Sequence, residues 1–361
     1  MAPQKKPVNI SQRITSSPFY IMLYVVLVLL GNAGNTTVIA VVGQSLLQET
    51  GTVRSSDVIL VNMAFSNLMV SLLRNTVLMV SDLGVEIFLS RDMCQFMMGL
   101  WVWVRSANVW STFFLSAFHF QTLRRVAPPV INLHGPRGPP LSLILGFCLI
   151  WSLNLIYSIP AFIFSKNGNE NSTEGSGCPG SAPNISRLLF SWISLTVYLW
   201  CVLQTLMLVS STTRPLLGCI WDFPSAYSGL AFATSSMILH ESIPICLMNI
   251  TNLGSLCTLY AHGHKRTVAS QGEDAPVVSR IPAERRAAKV ILALNILFIS
   301  SWGTNVISVN YFNYNRGQST EFLLIIARFV NMSFIAFSPI ILAVGHRKLR
   351  AFIKSVLSHM I

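Results

Sequence analysis

Apolar runs of about 20 residues, the length that spans a bilayer core as a helix, recur along the chain. They lie near 18–42, 57–81, 94–120, 141–164, 188–209, 232–258, 287–309 and 321–344. Polar stretches separate them. The pattern predicts an all-α fold, a bundle of membrane-spanning helices. Eight runs pose a parity problem, because each span moves every later loop to the opposite side of the membrane.

Charge resolves the parity. With seven spans, omitting 188–209, and the N-terminus outside, 14 Lys/Arg fall in inner segments, 8 in outer ones and 3, Arg74, Arg105 and Arg328, within spans. That bias obeys the rule that basic loops stay inside. Counting 188–209 as a span puts the basic loop 261–286 and the tail 345–361 outside and breaks the rule. The N-terminal tail runs against the bias with Lys5, Lys6 and Arg13, but Asn9-Ile10-Ser11 is a glycosylation sequon and belongs outside. Sequons at Asn171 and Asn184 fall on the same side. The expected organisation is an outer tail, 1–17, a seven-helix domain, 18–344, and an inner amphipathic helix and tail, 345–361.

Composition fits this picture. The chain is 52% hydrophobic and only 11% charged, against about 25% charged in a soluble domain. The net charge of +12 therefore reads as orientation and contact with lipid headgroups, and nothing suggests a nucleic-acid groove. The polar "MAPQKKPVNISQRITSS" precedes an apolar run too long for a signal peptide, so the first span is expected to act as the insertion signal. No nucleophile–base pair, metal motif or phosphate loop is present, which argues against an enzyme and against a metal or other cofactor. Span 7 has no lysine for a retinal Schiff base. No internal repeat or matched pair of broken helices suggests a transporter or channel.

Several motifs carry a resemblance. "GNAGNTTVIA" in span 1 resembles the GNxxV of rhodopsin-like receptors. "MAFSNL" in span 2 resembles their LAxADL, with Asn67 in place of Asp. Trp151 matches the tryptophan of span 4, and "FSPIILAVGHRKLR" resembles NPxxY with Leu342 in place of Tyr. "AFHFQTLRRVAPP" stands where DRY closes span 3. Together with "WVWVRSANVWSTFFLSAFHFQTLRRVAPP", "SSTTRPLLGCIWDFPS" and "LHESIPICLMNITNLGSL", these look like the fish olfactory receptors related to class A, relatives of mammalian vomeronasal type 1 receptors. The resemblance is nearest over roughly 57–165 and 205–356.

It implies a chemosensory G-protein-coupled receptor of the plasma membrane in olfactory sensory neurons, with a Gi/Go-type partner. A peptide or bitter-tastant receptor is the alternative. It also implies a Cys94–Cys219 disulfide that pins the second outer loop to span 3, with Cys178 as a rival. Cys148, Cys201, Cys246 and Cys257 read as small buried hydrophobes. Against that family, Gly175 to Gln204 is extra sequence. The insertion, 175–204, reads as translated intron, its apolar end matching a pyrimidine-rich splice site. A real insertion on the membrane surface or against the bundle is the alternative.

Ionisable residues in spans are costly and face the bundle interior. Trp101, Arg105, Asn108 and Thr112 share one face of span 3, and Arg105 lies roughly 16 Å below Cys94 at 1.5 Å per residue. Arg328, Asn331 and Ser338, with Glu321 at the rim, make a polar face of span 7. Asn67 and Arg74 do so on span 2, and span 5 offers His240 and Glu241 above Pro244. In one reading these charges pair and hold the helices in register. In the other, surplus cations bind an anionic ligand, with Arg105, Trp101, Asn108, His240, Glu241, Arg328 and Arg74 as contacts. A small acid bearing a ring suits both guanidinium and indole. At the inner face Arg124, Arg125, "HGPRGPP", His262 to Arg266 and Arg285, Arg286 form a basic rim for headgroups and a G protein. Leu349, Phe352, Ile353 and Val356 give the last helix an apolar side for the leaflet.

Overall fold

The computed structural model describes residues 18–48, 55–85, 87, 89–124, 141–168, 218–269, 281–314 and 322–360. Outside them lie the N-terminal tail, the sequons at Asn9, Asn171 and Asn184, the insertion 175–204 with segment 188–209, Cys178, Cys201 and Glu321. The side chains of His262 to Arg266 and of Arg285 and Arg286 also lie outside, as do Arg125 and the loop after it.

Seven long helices form the bundle. They are α1 (Pro18–Gln48), α2 (Ser55–Val70, continued through a π turn, Ser71–Thr76, to Val77–Asp82), α3 (Arg91–Arg124) and α4 (Leu141–Ile163). Then come α5 (Ala226–Met237, a π turn Ile238–Ser242, and Ile243–Ala269), α6 (Ile281–Tyr314) and α7 (Phe322–Gly345). A short amphipathic helix, α8 (Arg347–Met360), follows. Among the described residues the helices are joined by one antiparallel pair of three-residue strands, β1 (Ser165–Asn167) and β2 (Cys219–Trp221), with Lys166 opposite Ile220. Lys166 reaches Asp222 at 2.9 Å beside this pair.

Six of the seven helices are long and apolar enough to cross a membrane. The exception, α3, is too polar by composition, carrying Arg91, Asp92, Arg105 and Arg124. Packing explains why this is tolerated. Helix α3 lies at the centre, against α2, α4, α5 and α6, so protein rather than lipid surrounds it. Its middle residues from Trp101 to Val109 are nearly all buried. The other helices close around it through α1–α2, α5–α6, α6–α7 and α7–α1 contacts.

Small residues set the closest approaches. A Cβ on Gly99 of α3 would lie 2.2 Å from the Phe162 ring of α4, and one on Gly34 of α1 would lie 2.9 Å from Pro339 of α7. The π turn in α5 has a local cause. Pro244, just after it, has no N–H to donate and its ring crowds the carbonyl four residues back, so the helix widens there. Pro160 and Pro339 lie within α4 and α7.

One sequence expectation is corrected. Cys148, Cys246 and Cys257 are exposed on the surface of the bundle rather than buried. In a membrane the lipid-facing surface is as apolar as the core, so an apolar stretch does not distinguish the two. Cys94 and Cys219 form a disulfide that ties β2 to the first turn of α3. It marks one end of the bundle, the disulfide end; α8 marks the other.

Candidate functional site

Four of the ionisable residues predicted within spans are buried, and Arg328, with 19% of its side chain exposed, is partly so. Arg105 is 4% exposed, Arg74 8%, His240 5% and Glu241 1%. All lie in the half of the bundle nearer the disulfide. Both π turns coincide with them: Arg74 sits in that of α2, and His240 and Glu241 in that of α5. Such turns shift side chains off the regular helical register and recur at functional sites.

On one flank, α3, α5 and α6 meet. The Glu241 carboxylate interacts electrostatically with Arg105 and accepts a hydrogen bond from the Trp302 indole N–H at 3.1 Å. On the other flank, α1, α2, α3 and α7 meet. The Arg74 guanidinium lies over the Trp101 ring, 4.9 Å from its centre. Arg328 pairs with Asp82 and stacks over Tyr24 at 3.9 Å. Arg328, Arg74 and Asp82 all act electrostatically on Tyr24, which places them in one region. Tyr24 also donates to Asn75 at 3.3 Å. The described site thus holds three arginines, Arg74, Arg105 and Arg328, against two carboxylates, Asp82 and Glu241.

Asn108 has a different setting. Its amide nitrogen donates to Ser66 at 3.0 Å and to Asn67 at 2.7 Å, and Asn67 in turn donates to Ser338 at 3.3 Å. The three helices α2, α3 and α7 are therefore joined by neutral groups. A second neutral network lies nearer the α8 end. Asn252 of α5 accepts from Asn295 of α6 at 2.6 Å and from Ser116 of α3 at 3.2 Å. At that end His346 faces the buried Asp57 at 3.4 Å, joining the α7–α8 junction to α2. Arg350 donates to the Val344 carbonyl and so caps α7.

Trp103, the indole facing away from the site, donates to the Trp151 carbonyl at 2.9 Å. Trp151 donates to Asn62 at 3.0 Å and Asn62 to Ser111 at 2.9 Å. That chain fastens α3 to α4 and α2.

Sequence reasoning missed Asp82, Trp302, Tyr24 and Tyr157. Asp82 lies one residue past the predicted end of span 2, and its apposition to Arg328 spans 246 residues. Trp302 looks like any indole in an apolar helix. Tyr157 stacks on Phe232 and meets His240 edge-on at 4.4 Å, and no local signal marks it.

Two comparisons bear on this arrangement. The family model described as Taste receptor protein (TAS2R) matches residues 14–130, which hold α1 to α3. The chain is also 37% identical to Olfactory receptor class A-like protein 4 of Danio rerio, over 93% of this chain and 89% of that protein.

Proposed function

Because the chain belongs to the olfactory receptor class A-like family, whose members are chemosensory G-protein-coupled receptors, we propose that it binds a small water-borne ligand, anionic or aromatic, between the helices in the disulfide half of the bundle. That end faces outward, with the N-terminus on the same side. The α8 end faces the cytoplasm and docks a heterotrimeric G protein of the Gi/Go type. The receptor lies in the plasma membrane of olfactory sensory neurons, and binding shifts the helices toward a state that the G protein recognises. It is a receptor rather than an enzyme.

The observation that carries this reading is the concentration of positive charge at Arg105, Arg74 and Arg328 on the inner side of an apolar bundle, Arg105 and Arg74 buried and Arg328 partly so. A carboxylate entering from water balances it, and the Trp101 indole offers a ring face beside it. The test is a G-protein reporter assay of small acids and amines on the wild type and Arg105→Ala. Acids are expected to activate the wild type and lose potency on the variant. Activation by amines, with Arg105→Ala indifferent, overturns the reading. Ion flux in cells lacking G protein would instead indicate a channel.

The match of residues 14–130 to the taste receptor family favours one second reading, a receptor for bitter tastants. Transcript in taste cells rather than olfactory neurons, with responses to bitter compounds, would decide for it.

A further inference from the structure

His240 is buried without a hydrogen bond. Neither ring nitrogen has a partner among the described residues, although the side chain is 5% exposed. The Trp101 indole N–H is in the same position at 1% exposure. Buried polar groups in native proteins are almost always paired, and each exception calls for an explanation. Phenylalanine at 240 would fill the site of the imidazole without unpaired polar atoms, so packing alone does not account for His240; Trp101 has a packing role under Arg74, but its N–H is unused.

A run of rings leads to His240 from the disulfide end. Phe223 stacks on Trp221 at 5.7 Å and lies 5.3 Å from Phe232. Phe232 stacks on Tyr157 at 5.5 Å, and Tyr157 meets His240 at 4.4 Å. Trp221 closes β2, which the disulfide fixes to α3. The Tyr157 hydroxyl is engaged with the Phe232 carbonyl at 2.9 Å and Ser235 at 2.5 Å, so Tyr157 presents a positioned ring rather than a spare polar group. The column therefore ends on an imidazole whose donor and acceptor are both unused among the described residues.

We propose that the column from Trp221 to Tyr157 is the ring-binding wall of the ligand site, and that His240 and Trp101 select ligands bearing an uncharged group that both donates and accepts hydrogen bonds. This rests on the proposed ligand site and adds to it. The arginines read charge, whereas His240 and Trp101 read a neutral substituent such as a carboxamide. A neutral imidazole supplies one donor and one acceptor, and an indole one donor. A site built to pair such a group rejects an analogue lacking it far more strongly than an apolar wall rejects a changed methyl.

The test uses two para-substituted benzoates of similar size, 4-carbamoylbenzoate and 4-methylbenzoate, on cells expressing the full chain with a G-protein reporter. The wild type is expected to respond to the carbamoyl compound at an EC50 at least about tenfold lower. His240→Phe should erase that ratio chiefly by raising the EC50 of the carbamoyl compound, with a clearly smaller shift for the methyl compound. His240→Gln, which keeps a donor and an acceptor, should retain most of the ratio. A merely structural histidine would shift both compounds together. Thermal melts of purified receptor should find His240→Phe at least as stable as wild type. The assignment is overturned if the wild type does not prefer the carbamoyl compound, silence toward both included, if His240→Phe shifts both alike, or if that variant melts lower. Arg105→Ala separates the two readings. Loss of the benzoate response with the carbamoyl preference intact on uncharged analogues supports both. An unchanged benzoate response in that variant, with the His240 ratio intact, overturns the anion reading alone.

Discussion

The Trp302 indole of α6 donates to the Glu241 carboxylate of α5, and the same carboxylate acts on Arg105 of α3. Three helices that enclose the proposed ligand site therefore share one buried anion. A ligand carboxylate that approaches Arg105 competes with Glu241 for the guanidinium, and any resulting movement of Glu241 is transmitted to α6 through Trp302.

Glu241→Gln keeps an acceptor for Trp302 but removes the charge facing Arg105. Taking a nearby anion from a buried guanidinium is unfavourable, so the purified variant should melt below wild type. Benzoate at millimolar concentration should restore part of that loss by supplying a carboxylate, and should do less for wild type. A variant as stable as wild type, with no rescue, would show that the two residues are not energetically joined.

The Arg328–Asp82 pair ties α7 to the end of α2. Asp82→Asn leaves Arg328 with the Tyr24 ring but no counter-charge. Cell-surface expression and melting temperature should fall. The swap Asp82→Arg with Arg328→Asp should recover at least half of the deficit, since the geometry needs opposite charges rather than a fixed order. Double-mutant cycles measure this directly. Equal deficits in the single and swapped variants would mean that Arg328 works through some other contact.

Helices α3 and α4 approach closely at Gly99, where an added methyl meets the face of Phe162. Overpacking of this kind costs about 1–3 kcal/mol. Gly99→Ala should lower the melting temperature, and Gly99→Ala with Phe162→Leu should regain much of it. Gly43→Ala is the control, since a Cβ there meets nothing within 4 Å.

Much of the fold was legible along the chain. Apolar run length placed the helices that are described; the segment 188–209, which the placement of arginine and lysine excludes as a span, lies outside the described residues. The spacing of Trp101, Arg105, Asn108 and Thr112 identified an inward face, and all four are buried. Span 3 was legible as an apolar run like the rest; that its polar residues are tolerated because other helices surround it is seen only in the packing. The cysteines at 148, 246 and 257 show the limit of that logic, because apolar neighbours look the same whether the far side is protein or lipid.

Sequence by itself determined which residues are charged, which helix carries each and which way it turns, because helical periodicity and the cost of charge in lipid act locally. Only the tertiary structure decided who meets whom. Asp82 and Arg328 are 246 positions apart, and Glu241 and Trp302 are 61. Such distant residues are brought together by how seven cylinders cross, by the glycines that let them approach and by the π turns that reset their register, none of which helical periodicity encodes.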